Sequence, residues 1–234
     1  MQNPIITVVY SHGRYGSPWY GFKIEALRSI ALKAGLNIIS VRYPEEMTVE
    51  QMEQKLFETV QDDVNVPGDL IFLSSSRGGY LSTKVSQKVI NLYQNEDDRT
   101  ENDPRDAGKI LPRRHVLGQF LIAPAFYIKP DYYPDQDPTP ATIKIKGTPA
   151  TTKILRTTIV HGLNDSVIPC DNSIRFAKKF DSQLHLFSGD HRMNSQRDML
   201  CILFENFIKD CVVDSNNYFS EWTEIHKQAV SQPD

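Results

Sequence analysis

The chain has 234 residues, of which 40% are hydrophobic and 24% are charged, and its formal net charge is −3. This length and balance fit one large globular domain with a substantial core. The slightly acidic charge and the lack of a long Lys/Arg cluster argue against nucleic acid as a partner, and no apolar run is long enough for a membrane span.

The cysteines and the N-terminus indicate a reducing environment. Cys170, Cys201 and Cys211 are few and odd in number, which argues against a disulfide framework. The first residues lack the basic and apolar segments of a secretory signal. We therefore expect a cytoplasmic protein, and the sequence leaves its oligomeric state open.

Apolar, β-branched runs predict β-strands along the chain. Most of them are continuous rather than alternating, as expected for parallel strands that are covered on both faces. The runs lie at residues 5–10, 37–41, 70–73, 116–122, 157–160 and 184–187.

Segments with helical spacing lie between these strands, at residues 21–34, 48–60, 78–94, 171–180 and 195–210. Thr48 and Gln51 are predicted to form a capping box at the second helix, and Asp171 is predicted to cap the fourth. The alternation predicts an α/β fold, a doubly wound and mostly parallel sheet of about six strands with helices on both faces.

Two segments interrupt this alternation. Residues 94–114 are rich in Asp, Glu and Arg and predict a solvated loop. Residues 124–153 contain clustered prolines and aromatic residues, which fit either a small cap over a cleft or an irregular segment packed on the domain. We assign residues 1–212 to one α/β domain and residues 213–234 to a C-terminal tail or extra helix.

A serine at a predicted strand-to-helix turn is the candidate nucleophile. The apolar run 70–73 is followed by Ser74-Ser75-Ser76-Arg77-Gly78-Gly79, the layout of a nucleophile elbow. Small residues two before and two after the nucleophile let strand and helix approach each other. Among the three serines, Ser76 has such neighbours on both sides, and Ser74 and Ser75 are the alternatives.

A carboxylate and a histidine follow later strands in the order that a Ser–Asp–His triad requires. Asp165 lies in the loop after the run 157–160, and His191 follows the last predicted strand, with Gly189 permitting a tight turn. Asp190 competes as the acid, but an immediate neighbour of His191 is poorly aimed at its ring. We interpret His12 and His161, which precede glycines at strand ends, as structural turn residues.

An oxyanion hole requires two backbone N–H groups near the nucleophile. One candidate is the N–H of Arg77, at the start of a helix, where free amides and the helix dipole favour negative charge. The other is expected in the loop after the first strand, where His12-Gly13 turns the chain abruptly and exposes the next amide. We assign this donor to Arg14, with Tyr15 as the alternative.

Aromatic residues near these loops are candidates for a substrate pocket, although aromatic side chains at such positions are more often simple packing. They are Tyr15, Trp19, Phe126 and Tyr127. The guanidinium groups of Arg14 and Arg77 either bind an anionic part of a substrate or pair with local acids, and we favour local pairing.

From residue 5 to about 210 the sequence resembles the α/β-hydrolase superfamily. The matching motifs are His12-Gly13, Ser74-x-Ser76-x-Gly78-Gly79, His161-Gly162-x-x-Asp165 and Gly189-Asp190-His191. The chain looks like a compact member that lacks the first two strands of the full fold. It departs from the usual pattern at Ser74, where glycine is common.

The resemblance implies a serine hydrolase that cleaves a carboxylic ester or a thioester of a small molecule through an acyl-enzyme intermediate. The run Asp190-His191-Arg192-Met193 is similar to one in small esterases and acyl-thioesterases. This chemistry requires no metal or organic cofactor. The alternatives are an amidase or peptide hydrolase, which uses the same groups, and a hydrolase-fold protein that binds a ligand without turnover.

Overall fold

The computed structural model of the protein describes residues 4–13, 16–18, 21–93, 114–128, 138–144 and 152–230, with side chains described as far as residue 216. Almost all of the acidic segment 94–114 lies outside these ranges. No helix in the described ranges is both long enough and apolar enough to cross a lipid bilayer.

Six strands of the described chain form one parallel sheet. They are β1 Ile6–Ser11, β2 Asn37–Val41, β3 Asp69–Ser75, β4 Val116–Ile122, β7 Thr157–Gly162 and β8 Gln183–Phe187. Their order in the sheet is β2-β1-β3-β4-β7-β8. Every residue of β1, β3, β4 and β7 is buried. This burial explains the continuous apolar runs and confirms the predicted parallel α/β sheet.

Helices cover both faces of the sheet, as the alternating pattern predicts. They are α1 Phe22–Lys33, α2 Val49–Gln61, α3 Arg77–Tyr93, α4 Cys170–Phe180 and α5 Arg197–Val230. On β3, Phe72 faces the cluster formed with α2 and α3, whereas its neighbour Leu73 faces the cluster formed with α1 and α5. The period-two alternation of β3 thus joins two separate cores through one buried strand.

The helix starts agree with the sequence at one position and differ at another. Thr48 and Gln51 form the predicted capping box at α2, with Thr48 N donating to Gln51 Oε1 at 2.8 Å and Gln51 N to Thr48 Oγ1 at 3.3 Å. The predicted cap of α4 is wrong, since Pro169 occupies the N-cap and Asp171 lies in the first turn. Asp171 still complements the positive helix end there.

The segment 124–153 contains a short antiparallel hairpin in its described part. Strands β5 Thr142–Lys144 and β6 Thr152–Ile154 pair with each other, and Thr142 N donates to Gln87 Oε1 of α3 at 2.8 Å. Residues 129–137 and 145–151 lie outside the described ranges, so the choice between a cap and an irregular segment stays a prediction.

Helix α5 extends well beyond the predicted end at residue 210, to Val230. The division that we assign at residues 212 and 213 falls within this helix. On its described part, Phe204 and Phe207 pack against Phe120 of β4, with ring centroids 5.2 and 5.6 Å from that of Phe120. The three cysteines are free thiols.

Candidate active site

Ser76 occupies the sharp turn between β3 and α3. Its backbone has φ of 53°, in the left-handed region, which residues other than glycine adopt only when the surrounding structure constrains them. A methyl group on Gly78 would overlap the Ser11 carbonyl of β1, and one on Gly79 would come within 2.8 Å of Pro124 Cβ. The two glycines therefore permit the close approach of helix and sheet that exposes this turn.

Backbone hydrogen bonds hold Ser76 in this conformation. Its N–H donates to the Ile122 carbonyl at 2.9 Å, while its own carbonyl accepts from Gly79 N at 3.0 Å and from Ala125 N at 2.9 Å. These bonds tie the turn to the end of β4 and to the first turn of α3. They offset a strain of about 1–3 kcal/mol for the left-handed backbone.

The three serines of the elbow differ in their surroundings. Ser74 is buried, and its Oγ lies 2.5 Å from Ser82 Oγ of α3. Ser75 is also buried, with its Oγ 3.2 Å from the hydroxyl of Tyr10. Ser76 is partly exposed. The structure therefore engages Ser74 and Ser75 in core hydrogen bonds and leaves Ser76 accessible.

Asp165 and His191 meet although 26 residues separate them, with His191 Nδ1 2.7 Å from Asp165 Oδ2. Their loops follow the neighbouring strands β7 and β8, whose carboxyl ends share one edge of the sheet with the end of β3. A methyl group on Gly162 would overlap the Gly189 carbonyl, so the two loops approach as closely as glycine allows. Asn164 N also donates to that carbonyl at 3.0 Å.

Asp165 is buried and fully hydrogen-bonded. Its Oδ1 accepts from the backbone N–H groups of Val167 and Ile168, each at 2.8 Å, and its Oδ2 faces the imidazoles of His191 and His161. Burial acts to raise the pKa of Asp165, but the hydrogen bonds from His161, His191 and the two amides outweigh it and hold the pKa well below its usual range. Asp165 therefore remains a carboxylate.

Asp190 has a different role in the same loop. Its Oδ1 accepts from the backbone N–H groups of Arg192 at 3.1 Å and Met193 at 2.9 Å, which closes a tight turn. Met193 has a left-handed backbone with φ of 57°, and its side chain is wholly buried in the core. Asp190 thus shapes the loop that carries His191, while the His191 ring faces Asp165.

His161 is more than the structural turn residue that the sequence indicates. It belongs to β7, its side chain is wholly buried, and its Nε2 lies 3.0 Å from Asp165 Oδ2. Its Nδ1 lies 2.7 Å from Ser173 Oγ of α4. The sequence pattern gave no signal for this contact, because it depends on how the loop after β7 folds back over the strand.

Lys23 is a second residue near the site that the sequence analysis does not identify. It lies in the first turn of α1 and is half-buried. Burial lowers the pKa of its ammonium group from 10.5 to about 8, although the charges of Asp190 and Asp165 act to raise it. The carboxylates of Asp165 and Asp190 thus interact electrostatically with the Lys23 ammonium group.

The loop after β1 contacts the elbow. A methyl group on Gly13 would lie 2.8 Å from Ser76 Cβ and 3.2 Å from Ser76 Oγ. The Gly13 carbonyl accepts hydrogen bonds from the buried His12 ring, with Nδ1 at 2.6 Å, and from Gly16 N at 3.1 Å. The proposed donor Arg14 and its alternative Tyr15 lie outside the described residues, as does Trp19.

The remaining candidates have distinct environments. Arg77 is the first residue of α3, so its N–H lies in the turn whose amides have no i−4 partner within the helix. Its guanidinium Nη1 lies 3.6 Å from Met52 Sδ of α2. No group of three or more His, Cys, Asp or Glu side chains that could hold a metal ion occurs in the described part of the chain.

Phe126, one of the predicted substrate-binding residues, lies in the core, and its role in substrate binding stays a prediction. The side chain is wholly buried and stacks on Phe176 of α4, with ring centroids 4.3 Å apart. This packing joins the segment after β4 to α4. Tyr127 is half-buried, with a left-handed backbone and the Arg175 guanidinium 4.0 Å from its ring centroid, and it remains a candidate.

The structure brings Ser76, Asp165 and His191 to one edge of the sheet but joins only the last two directly. Among the described residues, no hydrogen bond links Ser76 Oγ to His191. Because His191 Nδ1 faces the Asp165 carboxylate, it carries the ring proton, and Nε2 is left without one. The His191 ring is thus oriented by Asp165, and the accessible Ser76 lies at the same edge of the sheet.

No protein-family model and no curated protein matches the sequence. The structure is similar to that of Est1E from Butyrivibrio proteoclasticus, with 12% identity, a TM-score of 0.63, and 90% of this chain and 89% of that chain covered. The Pyrococcus furiosus esterase Pf2001 gives 12% identity and a TM-score of 0.60, with 88% and 83% covered.

Mouse alpha/beta hydrolase domain-containing protein 10 gives 16% identity and a TM-score of 0.56, with 87% of this chain and 89% of that chain covered. At such identities a structural likeness establishes the architecture and not the activity. The sheet order, the elbow and these neighbours agree with the resemblance noted from the sequence, and the protein has the fold of the α/β-hydrolase superfamily.

Proposed function

We propose that the protein is a serine hydrolase that cleaves a carboxylic ester or a thioester through an acyl-enzyme intermediate. The observation that carries the proposal is the 2.7 Å contact between His191 Nδ1 and Asp165 Oδ2, at the edge of the sheet where the elbow presents Ser76. An ionised carboxylate that fixes the tautomer of a histidine is the arrangement that makes a serine hydroxyl nucleophilic.

In the first step His191 Nε2 accepts the proton of Ser76 Oγ as that oxygen forms a bond to the acyl carbon. Asp165 holds the ring and stabilises the imidazolium that results. The half-buried position of His191, with 21% of its side chain exposed, leaves access for a substrate and later for water.

The negative oxygen of the tetrahedral intermediate requires N–H donors within hydrogen-bond distance. We propose the N–H groups of Arg77 and Arg14, with Tyr15 as the alternative to Arg14. The position of Gly13 against Ser76 supports this, because Arg14 is the next residue in the sequence after Gly13. One such donor contributes about 3–4 kcal/mol to transition-state stabilisation.

His191 then gives its proton to the leaving oxygen or sulfur as the bond to the acyl carbon breaks. Water takes the place of the leaving group, and His191 accepts one of its protons as the water oxygen bonds to the acyl carbon. The bond between the acyl carbon and Ser76 Oγ then breaks, His191 returns the proton to Ser76 Oγ, and the acid is released. Esterases among the structural neighbours support an ester, and the short run around His191 supports a thioester equally.

A fluorophosphonate probe tests the proposal, because it reacts with an activated serine and reports no particular substrate. We expect one adduct per chain, mapped to Ser76, that is lost in Ser76→Ala and in His191→Ala. Ser75→Ala is the matched control, since Ser75 is the buried neighbour, and it should still be labelled. No adduct on folded wild-type protein would contradict the proposal and favour a ligand-binding protein without turnover.

A panel of p-nitrophenyl esters, acyl thioesters and acyl anilides of equal chain length then separates the reaction classes. Faster turnover of the esters or thioesters than of the anilides is the expected result. Preferential anilide cleavage would replace the proposal with an amidase.

A further inference from the structure

The hydrogen-bond partners of His161, the second histidine that contacts Asp165, determine its tautomer. His161 Nε2 lies 3.0 Å from Asp165 Oδ2 and 3.0 Å from the Ile168 carbonyl oxygen. Both atoms are acceptors, so Nε2 must carry a hydrogen and donate to them. Because the His161 ring is wholly buried, the surrounding protein atoms determine which nitrogen carries the hydrogen.

The other nitrogen of the ring is held by helix α4. His161 Nδ1 lies 2.7 Å from Ser173 Oγ, and Ser173 is wholly buried. In a neutral imidazole with its hydrogen on Nε2, Nδ1 is an acceptor, so the Ser173 hydroxyl donates to it. Ser173 thereby favours the tautomer that directs an N–H at Asp165.

Asp165 has no free acceptor position once His161 is counted. Two backbone amides occupy Oδ1, while His161 and His191 occupy Oδ2. A carboxylate oxygen accepts about two hydrogen bonds in its plane, so four donors fill the group. Without His161, Oδ2 would keep only His191 as a donor, and a buried lone pair would be left unpaired.

We infer that His161 is a positioning residue that acts through Asp165. It fixes the orientation of the Asp165 carboxylate and, by donating a hydrogen bond to Oδ2, weakens the attraction of that carboxylate for the His191 imidazolium. The inference rests on the proposed function for its catalytic consequence. The hydrogen-bonded chain runs from Ser173 through His161 to Asp165 and His191. Each of its links lies within the described residues.

The direction of the effect on His191 follows from electrostatics. A donor on Oδ2 withdraws negative charge from the carboxylate, so its removal makes Asp165 a stronger partner for the His191 imidazolium. The His191 imidazolium should then be stabilised more strongly in a variant without the donor. Lys23 of α1, whose ammonium group interacts electrostatically with Asp165 and Asp190, is unchanged by such a variant.

The test is an NMR titration of the histidine ring resonances in the wild type, His161→Leu and His161→Gln. The resonance of His191 is identified by its loss in His191→Gln. Leucine removes the donor, whereas glutamine places an amide N–H near the position of Nε2. We expect the pH dependence of the His191 resonances to change in His161→Leu and to return toward the wild-type behaviour in His161→Gln.

Activity gives the second readout. The acid limb of the kcat/KM profile should change together with the His191 resonances in His161→Leu, with kcat lowered roughly 10- to 100-fold and KM changed less than about twofold. His185→Leu is the matched control, because it removes a histidine of the neighbouring strand β8 whose Nε2 has no hydrogen-bond partner among the described residues. It should change neither the pH dependence of the His191 resonances nor the acid limb.

Equal losses in His161→Leu and His161→Gln with an unchanged pH dependence of the His191 resonances would overturn the inference and leave His161 as core packing. If His161→Leu does not fold, Ser173→Ala tests the same chain from its other end and should change the pH dependence of these resonances in the same direction. The NMR titration does not require turnover. A wild type that fluorophosphonate does not label would therefore contradict the proposed function while the His161 result still stands or falls by itself.

Discussion

Gly13 lies so close to Ser76 that a single methyl group would fill the space between them, at 2.8 Å from Ser76 Cβ and 3.2 Å from Ser76 Oγ. Carbon atoms do not approach each other this closely without displacement. The loop after β1 and the elbow after β3 therefore fix each other's position, since the strands themselves pair in register from Ile6 with Asp69 to Ser11 with Ser74.

Gly13→Ala should accordingly displace the Ser76 side chain while leaving the sheet intact. We expect kcat for a p-nitrophenyl ester to fall about 10- to 100-fold, because small misplacements of reacting groups carry costs of this size. Gly35→Ala is the control, as Gly35 has φ of 76° with no atom within 4 Å of an added methyl. It should lower the melting temperature without lowering kcat, and a Gly13→Ala enzyme of normal kcat would contradict the contact.

Ser74, at the position where the superfamily commonly has glycine, should serve stability and not chemistry. Its 2.5 Å contact with Ser82 joins β3 to α3 inside the core. Ser74→Ala leaves the Ser82 hydroxyl unpaired, and we expect a loss of about 1–2 kcal/mol in the free energy of unfolding by urea.

Fluorophosphonate labelling of Ser76 should persist in Ser74→Ala. The double variant with Ser82→Ala should be more stable than the sum of the single losses predicts, because both partners are then absent. Complete loss of labelling in a folded Ser74→Ala protein would instead give Ser74 a part in the reaction.

The sheet was predictable from the sequence because four of its strands are buried on both faces and leave continuous apolar runs. The capping box at Thr48 was predictable because it depends on residues only three apart. The cap of α4 was not, since Pro169 and Asp171 both suit a helix start and the loop that carries Asp165 decides between them.

The candidate site follows the same division. Ser76, Asp165 and His191 could be predicted as candidates because each follows a strand and their order along the chain is that of a Ser–Asp–His triad. His161 and Lys23 could not, because their roles depend on the path of the loop after β7 and on the orientation of α1. The burial of Phe126 was not predictable, because an aromatic side chain near a strand end packs inward or outward according to tertiary contacts that no local pattern records.

Lys23 should make stability depend on pH in the alkaline range. Its pKa is lowered from 10.5 to about 8 in the folded protein, so the unfolded chain binds the extra proton between these values. Stability rises with pH wherever the unfolded state binds more protons. The loss of folding free energy from desolvating the ammonium group is thus fully present below about pH 8 and disappears as the pH rises toward 10.5.

Urea unfolding of wild type and Lys23→Met at several pH values checks this expectation. The difference in stability should favour Lys23→Met at pH 7 and shrink as the pH rises through 8 to 10. Lys33→Met, at the last residue of the same helix, provides a control with an exposed ammonium group and should show no such trend. A constant difference for Lys23→Met across this range would mean that its ammonium group is not desolvated.

Asp165 and Asp190 offer a direct comparison of the two carboxylates near His191. Asp165→Asn presents an amide to His191 Nδ1 and favours the wrong ring tautomer, so kcat should fall on the order of 10⁴-fold. Asp190→Asn keeps an acceptor for Arg192 N and Met193 N and should lower kcat less than about tenfold. Steady-state kinetics at saturating ester, with circular dichroism to verify folding, separates the two residues, and a larger effect at Asp190 would reverse the assignment of the acid.

The same pair predicts acid sensitivity. Because hydrogen bonds hold the pKa of Asp165 below its usual range, its contribution to stability is complete above about pH 4 and is lost as the pH falls through the folded-state pKa. Asp165→Asn removes that contribution at every pH. The difference in unfolding free energy between wild type and Asp165→Asn should therefore be constant above about pH 5, where a carboxyl group is ionised in both states. It should narrow below about pH 4, as the carboxyl group of the unfolded chain becomes protonated. A difference that stays constant down to about pH 2 would mean that folding does not lower the pKa of Asp165.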